Sequence, residues 1–383
     1  MFVHDSQLRH VLPPEAYFHP DHLKVEKDRL LDPAWHFVAS SDDFKKDGDF
    51  LSLSLLERPL LLRRHEGEVH AYLNVCSHRH CLITSKPSGN LPTIRCQYHG
   101  WEYQCDGRTG KIPEASSFRP FDRENSRLKK YRTDRCGNLI FVCLADQGPS
   151  LRQQLGEVYD RIERSYASPF RQVWNWDTDY PANWKACIEN LLESYHIPCL
   201  HPKTFGDMPQ EQNIQHVMKE GWTSFQTNEM DRWVEKGIRR TTSILGLPYT
   251  GHYTQYLVYP NLVFITLDTF SLAKMVVPTS PRTSRAVIRV FSPYGPRRGI
   301  IPWVSSRINA FVARDGSRKI LHEDASIFPA AQQGLEASPF PGVIGRREER
   351  VFAFQDWIRR NTSSPDHSRN SLPVIGNGDQ SRP

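Results

Sequence analysis

Residues 74–103 read NVCSHRHCLITSKPSGNLPTIRCQYHGWEY, and the rest of the chain is organised around them. The stretch holds Cys76-Ser77-His78, then seventeen residues, then Cys96-Gln97-Tyr98-His99. Each half supplies one thiolate and one imidazole at a spacing short enough for a single loop to aim both at one centre. Two sulfurs and two nitrogens can hold zinc tetrahedrally, or a two-iron cluster in which histidines replace two of the usual cysteines. Structural zinc sites normally pair like with like, two cysteines close together and then two histidines. Here every pair is mixed, which suits both cysteines on one iron and both histidines on the other. Pro87, Gly89 and Pro92 make the intervening segment a loop, and Asp106-Gly107 signals a hairpin turn just beyond. A zinc knuckle, or four unrelated buried residues, remain the competing readings of the pattern.

Gly100-Trp101 follows the second histidine. The run CSHRH…CQYHGWEYQCDG…IP closely resembles the Rieske domain in the oxygenase component of Rieske non-haem iron oxygenases. The resemblance implies a [2Fe–2S] cluster on Cys76, His78, Cys96 and His99. His80-Cys81 departs from it, because a small residue such as Gly often follows the His-Arg pair; neither fits the paired ligand spacing. Arg79 reads equally as an exposed loop arginine or as a group offsetting charge near the cluster.

The chain has 383 residues, 38% of them hydrophobic, enough for two domains with proper cores. Its formal net charge of +6 is spread without long single-sign runs. No basic stripe interleaved with aromatics appears, which argues against a nucleic-acid partner, while a mildly basic surface suits an acidic electron-transfer partner. Eight cysteines, two of them in the metal pattern, do not form a secreted disulfide framework. The N-terminus lacks an apolar signal core and no run approaches membrane-spanning length, so the expectation is a soluble, reduced, cytoplasmic protein without a membrane partner.

Residues 14–35 predict a turn and an amphipathic helix ended by Pro33. Strands are expected at 50–55, 59–63 and 70–75, the latter two joined by a turn at Glu66-Gly67, and at 131–135 and 138–144. Gln147-Gly148-Pro149 reads as a boundary, followed by a helical stretch over 151–166. The expected division is an N-terminal segment 1–33, an all-β module 34–148, a catalytic region 149–360 and a flexible tail 361–383. Within the catalytic region a strand is expected at 174–178 and a helix at 183–195. A β-rich region follows over 222–290, including one run at 256–267, and then two helices near 303–314 and 322–333.

On the helix over 183–195, Trp184, Ile188, Leu191, Leu192 and Tyr195 form an apolar stripe, and Glu189, Glu193 and His196 share another face. Pro198 is expected to stop that helix, so that His196 and His201 converge on one ion across the break; a solvated polar face with two incidental histidines is the blander alternative. The segment NWKACIENLLESYHIPCLH resembles the iron-binding helix of Rieske oxygenases, with His196 and His201 matching the histidine ligands of a mononuclear Fe(II). The family's carboxylate ligand comes from a late helix in an E-D-x7-Q-like context. Here Glu323-Asp324 leads to Gln332, making Asp324 the candidate and Glu323 the runner-up. Glu193 stands where the family places the acidic residue bridging the two metal sites of neighbouring subunits. Its E-N-x2-E-x-Y-H form resembles the choline, carnitine and glycine-betaine monooxygenases.

The resemblance implies an α+β architecture, with an all-β Rieske domain inserted in a helix-grip (START-like) catalytic domain. It also implies a terminal oxygenase acting with O2 on a small organic molecule, a quaternary amine or alternatively an aromatic or alicyclic compound. No G-x-G-x-x-G dinucleotide fingerprint is present, so NAD(P)H oxidation falls to a separate reductase, possibly with a ferredoxin. The family's cluster-to-iron route between subunits implies a homotrimer.

Overall fold

The structure is a computed structural model describing residues 2–4, 8–205 and 207–363. It contains two antiparallel seven-stranded sheets and a set of helices gathered on one of them, an α+β arrangement. The N-terminal sheet runs in the order Trp35–Ser40, Leu139–Cys143, Lys130–Cys136, Glu68–Leu73, Arg58–His65, Asp49–Leu55, Ser88–Asn90. The hairpin at Glu66-Gly67 has both residues at positive φ, the backbone a tight two-residue turn demands. Gly107 also requires glycine: its φ is +90°, and a Cβ there would lie 2.6 Å from the Leu128 carbonyl oxygen.

The C-terminal sheet runs Phe170–Tyr180, Thr283–Pro293, Phe270–Ser280, Leu262–Leu267, Tyr253–Val258, Trp222–Thr227, Ile214–Met218. The run expected at 256–267 is two strands, because Pro260 offers no N–H to a ladder and the chain turns at Pro260-Asn261. The β-rich region is also interrupted by the helix Arg232–Leu245, capped by the Asp231 side chain on the Trp233 and Val234 amides.

One 38-residue helix, Ile300–Ala337, grips a single face of this sheet where two shorter helices were expected. Gly316 and Pro329 do not break it. Its buried residues Ser317, Leu321, Asp324, Phe328 and Gln332 recur at three and four, so packing along one stripe outweighs local propensity. That stripe is half polar while Ile300, Trp303, Ile308 and Phe311 are exposed, so hydropathy could not mark the buried side. His322 stacks on Trp176 at 4.5 Å, and Phe328 meets Tyr180 edge-on at 4.9 Å. These contacts fix which sheet face the helix covers.

The N-terminal segment is sewn across the C-terminal one. Tyr17, Leu30 and Leu31 are buried, and Leu8–Arg9 pairs with Val343–Ile344. Glu26, buried, accepts from Lys185 Nζ at 2.7 Å and Trp184 Nε1 at 2.8 Å. One apolar core including Phe37, Phe141, Trp184, Phe264 and Phe291 runs through both sheets, each such ring contributing about 1.5–3 kcal/mol. On the far face of the C-terminal sheet, buried Arg289 donates to Asp177 at 2.5 Å and to Asp43 at 3.2 Å, pinning the sheets together. Of the tail expected at 361–383, Asn361 and Thr362 still belong to the helix Glu349–Thr362, and 364–383 lie outside the described residues.

Candidate metal centres

The two Cys/His pairs sit in two loops of the same construction. In the first, Cys76 N donates to Cys81 O at 2.8 Å and His80 N to Cys76 O at 3.0 Å. In the second, Cys96 N donates to Trp101 O at 2.8 Å and Gly100 N to Cys96 O at 3.0 Å. Each loop is closed by antiparallel pairing, Val75 with Leu82 and Ile94–Arg95 with Glu102–Tyr103. The fifth residue of each has positive φ, +59° at His80 and +70° at Gly100. The departure noted at His80 therefore falls where the backbone is left-handed, which is why glycine suits that place. Gln97 N donates to Ile83 O at 3.0 Å and links the two loops.

Cys76 and Cys96 are buried in a small separate core with Ile83, Ile94, Trp101 and Tyr103. The imidazoles lie at the outer edge, His78 half-buried and His99 exposed, with ring centroids 4.8 Å apart. His78 stacks parallel on Trp101 at 4.7 Å, and its buried Nδ1 has no hydrogen-bond partner. An unsatisfied buried nitrogen is costly unless a ligand completes it, so the site fits a metal group. The donor set decides which one: each loop offers one thiolate and one imidazole, the mixed set that suits a two-iron cluster with both cysteines on one iron and both histidines on the other. The Tyr103 hydroxyl lies 3.1 Å from Cys76 Sγ and 3.0 Å from Ser77 Oγ, a contact that the sequence pattern did not flag. Arg79 lies over the Tyr98 ring at 5.8 Å, the exposed-loop reading.

The second centre is assembled from nitrogen and carboxylate donors. His196, His201 and Asp324 bring three donor atoms within 4.8 Å of one another. The helix expected over 183–195 is shorter, Trp184–Glu189, and a second short helix covers Ile197–Leu200. Between them Leu191 N and Leu192 N bond three residues back, at 2.9 Å each. The Glu193 carboxylate takes the backbone amides of Tyr195 and His196, a side-chain competitor that ends a helix. Pro198 thus stands in the first turn of a new helix, where its missing N–H is harmless, and does not stop the old one. Nor do Glu189, Glu193 and His196 share a face: Glu189 accepts from the Tyr17 hydroxyl at 2.6 Å and from Gln355.

The histidines are held from behind. Glu193 Oε1 meets His196 Nδ1, and Glu323 Oε2 lies 2.7 Å from His201 Nδ1 while also accepting from Thr204 Oγ1. The free Nε2 atoms then both point at Asp324 Oδ1, at 3.7 Å from His196 and 3.0 Å from His201. Backing Nδ1 with a carboxylate fixes the tautomer and raises the basicity of Nε2. Glu323, the runner-up, is thus turned to the back of His201, and Asp324 faces the donors. Burial alone would lower the His201 pKa, but its bonds to Asp324 and Glu323 outweigh that and raise it. Asp324 is 4% exposed and His201 1%. The gripping helix is registered to the histidine segment by Gln332, whose Oε1 accepts from Asn183 N at 2.8 Å. Two histidines and one carboxylate with open positions fit iron(II) in an oxygen-using site.

Residues 34–132 match the family described as Rieske [2Fe-2S] domain, and residues 168–364 match that described as Ring hydroxylating alpha subunit (catalytic domain). The chain is similar to the carnitine monooxygenase oxygenase subunit of Acinetobacter pittii (strain PHEA-2), 24% identical over 70% of this chain and 73% of that one. It is similar to the glycine betaine monooxygenase oxygenase subunit of Chromohalobacter salexigens, 28% identical over 52% of this chain but only 45% of that relative. Its fold matches the crystal structure of the quaternary ammonium Rieske monooxygenase CntA in complex with L-carnitine. The TM-score is 0.74 at 18% identity, over 92% of this chain and 96% of the other.

Proposed function

The chain belongs to the ring hydroxylating alpha subunit family, matched over just over half its length, and from that premise we propose how its residues divide the work. It is a Rieske-type oxygenase component, an oxidoreductase with a [2Fe–2S] cluster and a mononuclear iron, acting with a partner reductase and O2. The chain divides into a Rieske domain over 34–148 and a catalytic domain over 149–360. Cys76 and Cys96 hold one cluster iron, and His78 and His99 the other. His196, His201 and Asp324 hold Fe(II). The observation that carries this assignment is the convergence of two carboxylate-backed imidazoles on one buried aspartate.

Bound there, the cluster supplies single electrons and the iron supplies oxygen activation. The protein's own residues hold the geometry. Glu193 and Glu323 fix the ring orientations, and the sheet face beneath the long helix keeps the reacting molecule dry. Glu193 and the 64% exposed Tyr195 lie near the surface, and His99 and Tyr98 are exposed on the cluster side. In a homotrimer, Glu193 bridges His196 to a cluster histidine of the partner subunit. The exposed apolar residues Trp303, Ile308 and Phe311 on the long helix support such subunit packing. All eight cysteines are free, which supports a reducing cytoplasm.

The substrate is a trimethylammonium-type compound, hydroxylated at a C–H next to nitrogen and thereby oxidised or N-demethylated. The Glu193 form of the bridge supports it, as do the names of the relatives. Aromatic rings such as Trp176 and Tyr253 on the gripped side can replace the water of a fixed cation, about 0.5–2 kcal/mol per ring. Reductase-coupled assays on choline, glycine betaine and carnitine beside a panel of aromatic acids test it. Product from at least one of the amines is expected; product only from the aromatic panel would move the substrate to ring hydroxylation and leave the oxygenase standing.

A further inference from the structure

Lys274 is a buried cation that the two metal centres do not use. It lies mid-strand in Phe270–Ser280, 1% exposed, and its Nζ has no hydrogen-bond partner. No described carboxylate lies within 4.0 Å of it, whereas the equally buried Lys185 is paired with Glu26 at 2.7 Å. A buried ammonium with no hydrogen-bond acceptor is strongly disfavoured, and its cation–π contact with the Tyr180 ring offsets only part of that, so its persistence asks for a partner that arrives from outside.

Its place in the fold says where that partner sits. Lys274 is in register with Ile288, and Ile288 with Trp176, so all three share the sheet face that Trp176 turns to His322 on the long helix. Lys274 Nζ stands 5.3 Å from the centroid of Tyr180, whose own hydroxyl is buried without a partner. The Tyr180 ring in turn meets Phe328, one helical turn from Asp324. Two orphaned donors, an ammonium and a phenol, thus lie in the layer between sheet and helix on the side of the iron ligands. Arg350, also buried on this side, bonds only Gln255 and Thr223, and its Nη2 is likewise unpaired. The negative charge near this layer is that of Asp324, which on the reading above is committed to the metal. Burial pushes the Lys274 pKa down, and the fields of Asp324 and of the nearby Cys187 thiol only partly offset this.

Resting on the oxygenase reading above, we propose that the substrate carries an anionic group, a carboxylate or sulfonate, received by Lys274 Nζ and the Tyr180 hydroxyl. Charge-assisted bonds from both donors would satisfy them at once. Among quaternary amines this selects zwitterions of the betaine type and refuses choline, whose hydroxyl leaves the ammonium uncompensated. Among aromatic compounds it selects acids over neutral rings.

The test uses the iron-loaded holoprotein under anaerobic conditions. Binding is measured by calorimetry for two matched pairs, glycine betaine with choline and benzoate with benzyl alcohol. The acid member of at least one pair should bind at least 10-fold more tightly than its neutral counterpart. Lys274→Met should erase that preference by weakening the acid alone, Lys274→Arg should keep part of it, and Tyr180→Phe should weaken the acid a few-fold. Cluster absorption and iron content, measured on each variant, report folding separately. Equal affinity within both pairs, no binding by either acid, or a preference that survives Lys274→Met would overturn the proposal while colour and iron remain. Loss of colour and iron from the wild-type protein would instead overturn the oxygenase reading itself.

Discussion

The two Cys/His loops and the His196, His201 and Asp324 site solve the same problem, holding candidate metal donors at fixed positions, by opposite means. The first is built from two copies of one local hairpin, and all four donors fall within residues 76–99. Its geometry comes from backbone bonds that repeat in both copies, at 2.8 and 3.0 Å. The second takes His196 and His201 from a broken helix and Asp324 from a helix more than 120 residues later. Its geometry comes from side chains holding side chains, Glu193 on His196, Glu323 on His201, Gln332 on Asn183. A local site is specified by chain spacing and is robust to changes elsewhere; an assembled site inherits every error in packing. The difference also explains why the Cys/His loops have their own small core while His196, His201 and Asp324 sit against the main one.

The comparison breaks first at the ligands themselves. His78→Ala should abolish the visible absorption and inorganic sulfide of the cluster, and all turnover with it, because the iron shared by His78 and His99 would keep only one protein ligand. Full colour in that variant would mean that the loops do not carry the cluster. Asp324→Ala should lose the mononuclear iron and turnover, yet its cluster should still reduce with the wild-type spectrum. If iron stays in Asp324→Ala and leaves in Glu323→Ala, the carboxylate facing the histidines is the other one.

Glu193→Gln sharpens the contrast, because it removes charge from a supporting residue and no ligand. Both metals should remain, and reoxidation of the reduced cluster in stopped flow should slow about 10–100-fold, the usual cost of losing such a supporting contact. Wild-type reoxidation would rule out the bridge. The smallest effect is expected where the two loops differ. His80→Gly should relieve a left-handed residue worth about 1–2 kcal/mol, less about 0.5–1 kcal/mol of glycine entropy. A gain of about 0.5 kcal/mol in chemical denaturation is expected, with the cluster spectrum unchanged; a loss would mean that the His80 ring makes a contact of its own.

By itself the sequence marked the two Cys/His loops, the strands of the N-terminal sheet at 50–55, 59–63, 131–135 and 138–144, and the two histidines that the structure brings together at the second centre. These are readings over short distances, where mixed Cys/His spacing, turn residues and period-two hydrophobicity act within one loop or strand. Tertiary structure decided the rest. The helix over 183–195 stops early because Glu193 spends its carboxylate on backbone amides and His196, a choice that depends on where His196 must point. The long helix runs through Gly316 and Pro329 because a half-polar stripe is buried against the sheet, a face that no hydropathy period can reveal. Asp324 was separated from Glu323 only by which side of His201 each one meets. Lys274 carried no signal in the sequence, and only the packing of sheet on helix shows that it is buried with no described carboxylate reaching it. Burial and partnership are properties of residues distant in the chain, and spacing along the chain does not contain them.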